Sequence, residues 1–132
     1  MTSKYKLSFT AGSLLMWEGT VLADVYLDIR DWNEVRQKAY DEDLLQAQRR
    51  STTVRRAREV VRRLKTLHED EVKLLARGEL PERTMISFLA VCRYYVFVRD
   101  FVLEVVRQNW LQFRTTVERR DYLRFYEEKE MN

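Results

Sequence analysis

The segment RRSTTVRRAREVVRRLK, positions 49 to 65, holds Arg49, Arg50, Arg55, Arg56, Arg58, Arg62, Arg63 and Lys65 against a single acid, Glu59. It carries +7, whereas the whole chain carries +3, so everything outside it sums to −4. Arginine dominates, and a guanidinium forks onto a phosphate with two hydrogen bonds where lysine offers a point charge. Ser51, Arg55, Arg58, Arg62 and Lys65 recur at helical spacing and share one side of a helix. With Val54 at 0° on a helical wheel, Lys65, Arg58, Arg62 and Arg55 fall between about 20° and about 100°. Arg56 and Arg63 form a second row farther round, and the apolar residues cover the arc from about 220° to about 360°. Charges on the stripe lie roughly 5 to 6 Å apart, near the phosphate spacing of a nucleic acid strand. That geometry suits backbone contact, which is salt-sensitive and carries little sequence information.

Two other readings compete. A solvated helix face whose arginines pair with acids from neighbouring elements is the commoner arrangement in helical proteins. An amphipathic helix lying on anionic lipid is weaker, because the apolar side carries Val and Ala rather than Trp, Phe and Leu. The excess of arginine and the solitary Glu59 tip the balance toward nucleic acid.

Other chemistry has little to work with. His68 is the only histidine and Cys92 the only cysteine, which excludes zinc sites built from several such ligands and leaves the familiar triads without parts. Arg63 and His68 stand in an R-x(4)-H spacing that resembles the active-site pattern of HEPN-type ribonucleases. In so arginine-rich a segment the match is weak, and His68 is expected to cap or solvate the turn after the basic helix. The acids of HEDE at 68 to 71 and EEKE at 127 to 130 are read as partners of helix dipoles rather than ion ligands. There is no glycine-rich phosphate loop. No catalytic residue, metal or cofactor is therefore expected. In FLAVCRYYVFVRDF, positions 88 to 101, Cys92 follows Phe88 and Leu89 at helical spacing, so it reads as a packed thiol. Arg93 and Arg99 are expected at the rim, paired by Asp100, Glu104 or helix-end carbonyls.

The elements that position these residues are helical. A first helix follows Ala11-Gly12, with Ser13 as its cap, and carries Leu14, Leu15, Val21, Leu22, Val25, Tyr26 and Ile29. Asp31 and Glu34 have capping-box spacing, which predicts a second helix from Trp32 to about Leu45. Ser51 is the expected cap of the basic third helix. A short fourth contains Val72, Leu74 and Leu75 and stops at Gly78, read as a left-handed cap. Pro81 suits the first turn of a fifth. From Met85 to Phe113 the sequence is apolar on nearly every side, which predicts the centre of the bundle, as one bent helix or two joined between Tyr94 and Val96. DYLRFYEEKEM makes a last amphipathic stretch. The fold class is all-α: one bundle of six or seven helices over residues 1 to 132 as a single domain.

With 45% hydrophobic and 34% charged residues, 3 Gly and 1 Pro, the composition fits a helical globular chain. A lone cysteine and no leader-like start predict a reducing, cytoplasmic setting. The longest near-apolar runs fall far short of the roughly 20 residues of a membrane-spanning helix.

Several blocks together resemble the BrxA family, a small component of bacterial BREX phage-defence systems: YKLSFTAGSLL at 5 to 15, DWNEVR at 31 to 36, LLQAQ at 44 to 48, REVVRRLKTL at 58 to 67 and LAVCRYYVFVRDFVLEVVR at 89 to 107. The resemblance implies an all-helical fold similar to the RNA-binding protein NusB, a double-stranded DNA partner, contact with other phage-defence proteins, and no enzymatic activity. Binding is assigned by charge geometry to Arg55, Arg58, Arg62 and Lys65, with Arg49, Arg50, Arg56 and Arg63 as neighbours. Docking on an acidic protein partner, or binding RNA, are the alternatives. Relatives commonly have Pro where this chain has Val96, which makes a helix break there less firmly encoded. They also continue for roughly sixty residues past the position of Asn132, another small helical region; if that region shares in DNA contact, this chain is expected either to bind more weakly than a longer relative or to be a shorter variant.

Overall fold

The structure is a computed structural model that describes residues 14 to 112 and 119 to 130. Among them there are helices and no strands, arranged in two compact units that divide between Tyr94 and Tyr95. The predicted Ser13 cap lies outside the described residues.

The larger unit contains α1 (Met16–Ile29), α2 (Trp32–Asp41), α3 (Arg50–Leu64), α4 (Glu69–Arg77) and α5 (Leu80–Tyr94). Its core joins Leu22, Ala23 and Leu27 of α1 to Val35 and Ala39 of α2, Ala57, Val60, Val61 and Leu64 of α3, Val72 and Leu75 of α4, and Ile86 of α5. Full burial of a leucine such as Leu22 or Leu75 stabilises the fold by about 2 to 3 kcal/mol. α1 packs against all four other helices. α4 lies close to α1 at Gly19, where an added Cβ would make an ordinary contact with Leu75 at 3.4 Å, and Thr20 Oγ1 donates to the Leu75 carbonyl at 3.0 Å.

This corrects the expectation that the Met85–Phe113 run is central. α1 holds that place in the larger unit, while Met85 on α5 is 70% exposed and Phe88 is exposed too. An all-round apolar run fits the middle of a bundle only if other helices enclose it; α5 is enclosed on the side that carries Ile86, Ala90 and Val91.

Local signals account for most boundaries. Asp31 caps α2 as expected, its Oδ1 accepting from the N–H groups of Asn33 at 2.9 Å and Glu34 at 3.2 Å. α2 stops at Asp41 rather than Leu45, because Asp43 and Gln46 turn the chain with positive φ; Leu45 is still buried in the core. α1 ends on Arg30 in the left-handed region, with its backbone N–H on the Tyr26 carbonyl and its Nε on that of Leu27. Gly78 does end α4, but at φ −77°, so the left-handed expectation fails. Space is what selects glycine: a Cβ would lie 2.4 Å from the Leu74 carbonyl oxygen.

The smaller unit starts at Tyr95, whose extended backbone separates α5 from α6 (Val96–Phe101). The chain thus takes the two-helix alternative even with Val at position 96. α6 runs without interruption through a π-helical turn (Val102–Val106) into α7 (Arg107–Leu111), and α8 (Arg119–Glu130) follows. Counted as one helix, α6 to α7 brings the described total to seven. Phe97 and Phe101 meet Phe125 of α8 edge-on, with ring centroids 5.2 and 5.5 Å apart, and Asn109 donates to the buried Asp121 at 3.1 Å.

Candidate nucleic-acid interface

α3 presents the basic segment. It starts at Arg50, one residue before the predicted cap, because the N–H groups of Thr52 and Thr53 both close on the Arg49 carbonyl. Ser51 is therefore the second helical residue, and no side chain caps this end. Thr53, Ala57, Val60, Val61 and Leu64 point into the core. Rotated away from them, Ser51, Arg55, Arg58, Arg62 and Lys65 are all exposed, and Arg49 and Arg50 are exposed at the start of the helix. The predicted stripe is thus assembled on one open face of a single 15-residue helix.

Among the described residues, the side chains of Arg49, Arg50, Arg55, Arg58, Arg62 and Lys65 have no ion-pair or hydrogen-bond partner. The solvated face paired with neighbouring acids is therefore not what the structure displays. Arg62 and Lys65 lie where the helix dipole favours a cation, but Arg49 and Arg50 sit at its positive end, against a dipole interaction of about 0.3 to 1 kcal/mol. Their charge does not serve the stability of the helix. Beside them a depression of about 530 Å³ is lined by Gln46, Ala47, Gln48, Arg49, Thr52 and Arg56.

The second row turns elsewhere. Arg56 faces Glu18 of α1 at 3.9 Å. Arg63, predicted as a surface neighbour of the stripe, is 2% exposed: its Nε donates to Glu59 Oε2 at 2.9 Å and its Nη1 to the Leu14 carbonyl at 3.3 Å. Arg63 is thereby removed from the accessible cations. Glu59 lies four residues before it, in the Glu-then-Arg order that pairs best on a helix, and that was the one local hint.

The R-x(4)-H spacing is not assembled into a site, since Arg63 is committed inside while His68 is exposed at the N-cap of α4. The His68 backbone N–H donates to Glu71 Oε1 at 2.7 Å. Glu69, Asp70 and Glu71 occupy the first turn of α4, as the dipole favours, and Glu69 is ion-paired with Arg30. No group of three or more His, Cys, Asp or Glu among the described residues is placed to hold a metal ion.

One cluster escaped the sequence reading. Arg93 of α5 forks onto Glu71 with contacts of 2.6 and 2.9 Å and donates to the Thr66 carbonyl at 3.0 Å, tying down the turn that ends the basic helix. The Arg93 hydrogen bonds hold the Glu71 carboxyl below the ordinary carboxylate range, and Glu71 in turn raises Arg93. A helix-end carbonyl was anticipated for Arg93, but Glu71 was not. Arg99 does pair with Asp100, at 3.3 Å. Cys92 is partly buried, and burial pushes its thiol up. No helix among the described residues is long and apolar enough to cross a membrane.

Comparison with known proteins extends the description. A curated relative, the BREX protein BrxA of Escherichia coli O9:H4 (strain HS), is 31% identical over 103 residues, covering 78% of this chain and 48% of the relative. The chain spans about half the length of that relative. No solved structure gives a significant match. The BrxA family model aligns with residues 3–132, which takes in α3, the Arg93 cluster and both compact units, and on that alignment the chain belongs to the BrxA family.

Proposed function

We propose that this chain is a non-enzymatic, DNA-binding accessory component of a BREX-type phage-defence system, acting in the cytoplasm beside other defence proteins. It contacts the phosphate backbone through Arg55, Arg58, Arg62 and Lys65 of α3, with Arg49 and Arg50 extending the surface. The defence role follows the name of the E. coli relative. The DNA role rests on one observation, the open row of unpaired cations on α3. Duplex DNA is favoured over RNA because a straight helix with phosphate-spaced charges needs no splayed bases.

A fluorescence-anisotropy titration of labelled duplex tests it. Four phosphate contacts give a log–log salt slope of about −3.6, so affinity falls on the order of 100-fold between about 50 and about 200 mM salt. Arg55→Ala with Arg62→Ala halves that slope. Absence of duplex binding at low salt, or binding indifferent to the double substitution, defeats the proposal. Preference for structured RNA in competition, or nuclease-resistant co-purification with a defence protein that depends on these arginines, redirects the stripe to one of those partners.

A further inference from the structure

We propose that Arg63 is a positioning residue for the α3 surface: it holds Glu59 away from the stripe and so keeps the phosphate-facing side free of opposing charge. This rests on the nucleic-acid reading above and assigns a role to the one predicted cation that the fold conceals.

Glu59 is three residues before Arg62 and four after Arg55, so both stripe arginines lie within the reach of helix-surface pairing. On the wheel it stands at about 140°, between the stripe's edge and Arg63 at about 180°. A carboxylate there that turned outward would cancel one of the four central cations. It turns the other way. Arg63 takes Glu59 at 2.9 Å, with the two side chains 3% and 13% exposed, while the Leu14 carbonyl holds the guanidinium from the far side. A charge-assisted contact sheltered from water outcompetes exposed pairs of the same helix. About two turns earlier Arg56 faces Glu18 of α1 at 3.9 Å, and Asp43 accepts from Thr53 Oγ1 at 3.5 Å. Arg63 thus neutralises Glu59 inside, and the outward arginines of the stripe are left unopposed.

The test compares wild type, Arg63→Met, Glu59→Gln and the double variant Glu59→Gln/Arg63→Met, for duplex DNA and for immobilised heparin, a polyanion without bases. Arg63→Met removes the guanidinium that draws Glu59 inward, so the salt slope drops by about 0.9 and affinity falls several-fold. The double variant returns both to wild-type values, and Glu59→Gln alone changes neither. A simple count of net charge predicts otherwise, with Glu59→Gln binding tighter than wild type. Tighter binding by Glu59→Gln, or a double variant as weak as Arg63→Met, overturns the proposal. If Arg63→Met does not fold, Glu59→Gln and the double variant still decide it, since either binding more tightly than wild type shows that Glu59 already opposed the stripe. The order of elution from heparin persisting without duplex binding refutes the DNA reading alone, and retention on neither ligand refutes both.

Discussion

The contact of Arg93 with Glu71 and Thr66 sets a measurable dependence on pH. Arg93→Met keeps an aliphatic stem and deletes two charged hydrogen bonds and the one to the Thr66 carbonyl. A hydrogen bond to a charged group contributes about 1.5 to 3 kcal/mol net when shielded. Here the side chains are 32% and 19% exposed, so water replaces part of what is lost, and the expected cost at neutral pH is about 2 kcal/mol. For a chain of this size that lowers Tm by roughly 7 °C. The carboxyl of Glu71 is held below its ordinary range in the fold, so its contribution is complete above the unfolded carboxylate pKa and disappears as pH falls through the folded value. The deficit of Arg93→Met therefore narrows on acidification, toward the roughly 1 kcal/mol of the Thr66 bond alone. Urea denaturation of wild type and variant at about pH 7 and at successively lower pH measures both quantities, as the deficit narrows once the Glu71 carboxyl takes up its proton. A difference below about 0.5 kcal/mol at neutral pH, or one that is equally large in acid, refutes the assignment.

Gly78→Ala forces a Cβ to within 2.4 Å of the Leu74 carbonyl oxygen, so the end of α4 must shift; thermal unfolding registers a loss of about 2 kcal/mol, whereas a glycine kept only for flexibility would give a gain. Cys92 is partly buried with its thiol pushed up, so it reacts with a disulfide reagent more slowly at neutral pH than a free thiol does and accelerates in urea. Fast stoichiometric labelling of the folded protein contradicts that packing role.

How far the sequence reveals this molecule depends on how far away each residue's partner lies. Asp31 caps α2 through N–H groups two and three residues on, so its role is written in the neighbouring letters. The exposed row of α3 is legible for a related reason: burial of Ala57, Val61 and Leu64 orients the helix, and the 100° step then turns Arg55, Arg58, Arg62 and Lys65 outward together. Arg62 and Arg63 are adjacent and identical, yet one is exposed and the other buried, and within a turn only Glu59 hints at that difference. Arg63 is inside because the carbonyl of Leu14, 49 residues earlier, is brought to it by the packing of α1 on α3. Arg93 likewise meets Glu71, 22 residues earlier, only once α4 and α5 are packed together. The exposure of Met85 and Phe88 has the same origin, since hydrophobicity says that a side can be buried but not whether another helix comes to cover it. A segment's cation count therefore overstates the field that a ligand meets: the fold turns Arg63 inward and pairs Arg56 with Glu18, while withdrawing Glu59 as well. What it presents is six cations with no acid among them, a purer surface than the +7 of the sequence suggests.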